Sequence, residues 1–171
     1  DNMSSGGFNP SIGSGSTATV YLCLNGQSIN DITIPVGVKM YVCDCTDEPG
    51  IISARFNVNG TAMLGSGRYS LLRQMGDNAV VHVYGPITLG DYADFSSSGK
   101  SITLDNANAK IHFSAQPYAA IKFIPCGEGV FATGWASSYN SSYRPVSSDD
   151  AYEVSYNNTT RELSFVRKAT A

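Results

Sequence analysis

Charge is scarce in this chain: Asp, Glu, Lys and Arg make up 15% of its 171 residues, and the formal net charge is -3. So weak and slightly negative a field does not hold phosphate backbones, and nucleic acid is not an expected partner. Long apolar runs are also missing. None approaches the roughly 20 residues that a bilayer-spanning helix needs, so no membrane insertion is expected. The opening "DNMSSGGFNPSIGSGST" lacks the basic-then-apolar layout of a signal peptide. No window of ten or more residues carries a clear 3.6-residue period; the nearest, "RYSLLRQMG", is short and reads as a strand. Histidine is limited to two residues, tryptophan to one and cysteine to four.

What is abundant is glycine, tyrosine and the small polar residues, a composition of β-rich surfaces. Residues 1–17 read as a flexible Gly/Ser-rich arm or linker with isolated Phe8 and Ile12, and residues 18–171 as one domain. "TATVYLCL" places Val20, Leu22 and Leu24 on one face, and "VGVKMYVCDC" does the same for Val38, Met40 and Val42. Further strands are expected at residues 68–75, 79–84, 101–104, 110–114, 119–125 and 129–135. Asn25-Gly26 and Asn59-Gly60 carry the hairpin signal of a type I′ turn, whose two central residues need positive φ. A third hairpin is expected at Asn157-Asn158. No internal repeat stands out, which argues against a propeller or β-helix. An antiparallel chain of this length doubles or closes its sheet to protect its edges, so the expected fold is an all-β antiparallel β-sandwich or jelly roll.

The cysteines offer no clear chemistry. Cys43 and Cys45 share a strand face with Cα atoms about 6.7 Å apart, the upper edge of disulfide geometry. Zinc needs Cys23 and Cys126 to converge on them, and the paired C-x₂-C spacing is missing. Free, partly buried thiols are therefore expected, with one long-range disulfide as the alternative. His82 in "VVHVYG" and His112 in "AKIHFSA" lie opposite apolar neighbours, on the outer face of a sheet. Asp91, Asp94, Glu128, Asp149 and Asp150 could supply a glycosidase carboxylate pair, but solvated turns explain them as well. No phosphate cradle follows a strand and opens a helix. No enzymatic activity, cofactor or metal is expected.

The segment most suggestive of binding is "WASSYNSSYRPVSSDDAY", residues 135–152. It interleaves Trp135, Tyr139, Tyr143 and Tyr152 with Asn140, Arg144, Asp149 and Asp150. Aromatic plates stack on sugar C–H faces while amides, carboxylates and a guanidinium satisfy hydroxyls, so these eight residues are the candidate glycan-binding set. The competing reading is an ordered loop with Trp135 anchored in the core.

Residues 101–135, "SITLDNANAKIHFSAQPYAAIKFIPCGEGVFATGW", resemble the terminal β-structured receptor-binding modules of bacteriophage tail fibres and tailspikes. The shared features are a "SITL" strand, a second strand, an apolar "IKFI" strand, a glycine turn and an aromatic-ended strand. The resemblance implies a homotrimeric, non-enzymatic fibre-tip module at the virion surface that recognises a host cell-surface glycan or protein. Two alternatives stand beside it. One is a secreted lectin-like domain or eukaryotic-virus surface protein, in keeping with sequons at Asn2, Asn59, Asn140, Asn157 and Asn158. The other is a carbohydrate-active enzyme fragment using carboxylates near Trp135.

Overall fold

The computed structural model describes residues 16–90 and 101–169. Most of the expected arm, with Phe8 and Ile12, lies outside them, as do Asp91 and Asp94. Among the described residues fifteen strands run in chain order: β1 (Ala18–Cys23), β2 (Ser28–Ile34), β3 (Val38–Cys43), β4 (Ile51–Val58), β5 (Thr61–Leu64), β6 (Arg68–Gln74), β7 (Val80–Val83), β8 (Pro86–Leu89), β9 (Ser101–Leu104), β10 (Lys110–Phe113), β11 (Lys122–Ile124), β12 (Gly129–Thr133), β13 (Val146–Ser147), β14 (Tyr152–Asn157) and β15 (Glu162–Arg167).

The odd strands β1 to β13 form one sheet, and β2 to β12 with β15 and β14 form a second. Nearly every pairing is parallel, each strand lying beside the strand one coil later. The result is a parallel β-solenoid of about six turns, which overturns the expected antiparallel sandwich or jelly roll. Only β12–β15 and β14–β15 pair antiparallel. The alternation of apolar and polar residues fits both architectures equally, because it fixes the buried face of a strand and not its neighbour.

The inner faces stack in rows. Val20, Met40, Ala62, Val81, Ile102 and Phe123 occupy equivalent positions of successive coils in the first sheet. Ile32, Phe56 and Leu72 do so in the second. From Met40 and Ile32 onward these side chains are fully or almost fully buried. Each such aliphatic side chain contributes roughly 1.5–3 kcal/mol of apolar burial. Because a coil contacts only its neighbours, these contributions accumulate along the stack.

The turns are corners between the sheets. Asn25 and Gly26 adopt φ of 51° and 70°, the positive values a type I′ turn requires, but they link β1 to β2 in different sheets. Asn59 and Gly60 join β4 to β5 without the positive φ expected of a type I′ turn, and both backbone amides donate to the Ile34 carbonyl. The expectation of hairpins at these two sites is thus corrected: a tight turn reverses the chain, and the next coil supplies the lateral partner. At Asn157 the expected hairpin is present between β14 and β15, with the Asn157 side chain accepting from the amides of Thr159 and Thr160.

Corners also bring backbone onto backbone. A Cβ added at Gly85 would stand 1.9 Å from the Gly65 carbonyl oxygen one coil earlier. Gly85→Ala is therefore expected to force the two coils apart and cost about 2 kcal/mol, read as a lowered Tm with the β signature retained. An unchanged Tm would mean that the coils are not in contact there.

The C-terminal end is closed by aromatic side chains. Trp135 is buried, and Tyr139, Tyr143, Tyr152, Val154 and Tyr156 pack against the core from this end.

Candidate functional site

The segment expected to bind ligand forms this C-terminal cap. Trp135 is 1% exposed, edge-on to Phe113 at 5.7 Å and to Tyr139 at 5.3 Å. It offers no face to a sugar, and the anchored-loop reading describes it. Its carbonyl accepts from the Tyr156 hydroxyl and Arg161 Nε, tying the loop to the hairpin. Asn140 caps a short 3-10 turn at Ser141–Tyr143 by accepting from the Ser142 amide. Tyr143 is half-buried against the core. Asp149 holds its own turn through the Ala151 amide at 2.9 Å, and Asp150 is exposed beside it.

Two of the eight residues do share a cavity wall. Arg144 and Tyr152, with Ser141, Ser142, Glu153 and Lys168, line a groove of about 380 Å³. Both are committed to the cap as well. The Arg144 guanidinium lies 5.1 Å from the Tyr156 ring centroid, and Tyr152 sits under Arg167 at 5.4 Å with its hydroxyl accepting from that residue at 3.2 Å.

A second surface, on the outer face of the first sheet, was not legible from the strand faces alone. Parallel register places Tyr21 directly beside Tyr41, then Met63, His82 and Thr103. The Tyr21 and Tyr41 rings stack at 5.0 Å with an interplanar angle of 12°, and Tyr84 meets Tyr41 edge-on at 6.4 Å. Tyr21 is 76% exposed. Around this row stand Lys39, whose ammonium lies 5.1 Å from the Tyr41 centroid, and the His82–Asp105 pair at 2.7 Å. A hydrogen bond to the Tyr41 phenol raises the Lys39 pKa, and the lysine stays cationic. His82 and His112 both sit on outer faces, as expected. Among the described residues no hydroxyl or thiol is hydrogen-bonded to His82, whose ring is paired with Asp105.

Beyond Tyr84 the surface dips into two grooves along one corner of the solenoid. The first, about 530 Å³, is lined by Cys43, Ser66, Tyr84, Asn108 and Lys110 among others. The second, about 420 Å³, continues past Thr46 and Thr88 to His112 and Thr133. Ser66, Pro86 and Lys110 line both, so the two adjoin as a two-part trough. His112 Nδ1 and Thr133 Oγ1 are 3.0 Å apart on its floor. The trough thus combines an aromatic edge, hydroxyls, an amide, an imidazole and a lysine whose ammonium also donates to the Val130 carbonyl, a mixture suited to polyhydroxylated ligands.

One sequence signal pointed to this surface. "VYLC" at 20–23 and "MYVC" at 40–43 repeat Tyr and Cys at the same 20-residue step. Comparison with protein-family models, curated proteins and solved structures gives no match for the chain.

Proposed function

We propose that this chain is a non-enzymatic binding module that recognises a host cell-surface glycan through the trough bordered by Tyr84 and Lys110. The observation that supports it most is the adjacency of the two grooves, which share Ser66 and Lys110. A solenoid suits the task because rigid, stacked coils hold side chains from distant sequence positions at fixed spacing, so little ordering entropy opposes binding. An extended oligosaccharide would run round the corner, from Tyr84 at the end of the first sheet to Thr88 and His112 on the second. This replaces the cap residues as the leading site, since Trp135 is buried and Tyr139, Asn140 and Asp149 serve the cap itself.

Fibre-tip location at a virion surface and trimeric assembly belong to the same proposal. Their support is the resemblance of residues 101–135 to tail-fibre modules, whose strands here form consecutive coils from β9 to β12. Light scattering tests the assembly: a trimer supports it and a monomer removes it.

The binding test uses a panel of bacterial surface polysaccharides with the native chain and three variants. Tyr84→Ala and Lys110→Ala are each expected to weaken the best binder about tenfold, the loss of roughly 1.4 kcal/mol that one aromatic or charged contact supplies. Arg144→Ala, in the cap groove, is expected to leave it unchanged once folding is verified. Loss in Arg144→Ala with none in the other two would return the site to the cap.

A further inference from the structure

We propose that Cys23, Cys43 and Cys45 form a three-thiolate site for one thiophilic d10 cation, with water completing a tetrahedron. Their sulfur atoms all lie within 4.8 Å of one another, and those of Cys23 and Cys45 are 2.9 Å apart. The coil geometry produces this convergence. Cys23 and Cys43 are direct partners in the β1–β3 register, and Cys45 follows two residues later where the chain leaves the sheet. Residues 20 apart in sequence are therefore lateral neighbours. Cys126 is not part of the cluster.

A tetrahedral ion with metal–sulfur bonds of about 2.3 Å needs sulfurs about 3.8 Å apart. The triad reaches that spacing by rotating exposed side chains outward, and Cys23 and Cys45 are both exposed, giving an ion direct entry. The backbone that carries them is fixed from the other side. Asp44, between Cys43 and Cys45, accepts from the amides of Gly26, Thr46 and Gly50 and from the Thr46 hydroxyl. With its oxygens so engaged Asp44 is not the fourth ligand, and water takes that place.

Thiols must shed their protons to ligate a cation, so affinity should fall as pH is lowered. Binding would staple the first coil to the second and stabilise the folded chain by mass action.

Cadmium(II) is the probe, added anaerobically to fully reduced chain in which four thiols titrate. The expected result is one equivalent bound, with a thiolate-to-cadmium charge-transfer band. Three thiols would be protected from a disulfide reagent, and Tm would rise. Cys23→Ser and Cys45→Ser, each removing a direct ligand, should weaken binding by more than the roughly 100-fold that losing an outer-shell partner costs, while Cys126→Ser leaves it unchanged. The proposal is overturned if reduced chain shows no saturable cadmium band. Loss of the band in Cys126→Ser also overturns it, as does a Cys23–Cys45 disulfide that persists in reductant.

Discussion

Trp135→Ala is expected to lower stability by about 4 kcal/mol, the cost of emptying a large aromatic site in a packed core. The indole fills the end of the solenoid, edge-on to Phe113 below and Tyr139 beside it. Its backbone carbonyl also receives the Tyr156 hydroxyl, so the loop and the β14–β15 hairpin converge on this residue. Without the ring the last coils lose their lid. Because solenoid coils interact with their neighbours only, the damage should begin at the C-terminal end and be felt less at β1. Hydrogen exchange would show early opening of amides in β12 and β15, with those of β3 and β5 still protected. Loss of glycan binding in a variant that remains folded, with native Tm, would instead make Trp135 a contact residue.

Asp44→Ala is expected to cost about 3 kcal/mol at neutral pH. The carboxylate gathers the Gly26 amide from the first corner and the Thr46 and Gly50 amides from the second. Its own amide donates to Ser66 Oγ at 2.6 Å on the third. Hydrogen bonds to a charged acceptor contribute roughly 1.5–3 kcal/mol each, and solvent at this corner reduces the sum. Partial burial pushes the Asp44 carboxyl up, but the bonds from Thr46, Gly26 and Gly50 outweigh it and hold the group at about 2, below its ordinary 3.8. A carboxyl lowered on folding stabilises above its unfolded value and ceases to do so as pH falls through the folded one. The stability gap between native chain and Asp44→Ala should thus be full above about pH 4 and close towards pH 2. A gap that stays constant over that interval would show that the charge contributes nothing.

Much of the local structure could be read from residue order, because period-two alternation needs no knowledge of partners. The inward faces of Val38, Met40 and Val42 and the outer positions of His82 and His112 follow from it. Turn chemistry was also legible: Asn25 and Gly26 have the positive φ their types allow. Pairing was not. An Asn-Gly turn serves a hairpin and a solenoid corner alike, and the step between equivalent residues drifts. From Val20 to Met40, Ala62, Val81, Ile102 and Phe123 it takes values of 20, 22, 19, 21 and 21, as corners lengthen and shorten. Such irregular spacing hides a repeat except in its first two coils, where Tyr21 and Cys23 recur as Tyr41 and Cys43. The candidate sites inherited the same blindness. The aromatic segment 135–152 was visible as composition but folds as a lid, whereas the tyrosine row, the trough and the thiol triad exist only across coils.

Everything proposed for this chain depends on that parallel register, so the measurement to make is cross-strand proton contacts by NMR between residues 18–23 and 38–43. The solenoid requires parallel contacts linking Val20 with Met40 and Leu22 with Val42. Contacts running from residues 18–23 to residues 28–34 in antiparallel order would place a hairpin at Asn25-Gly26 and contradict the fold, the trough and the thiol site together.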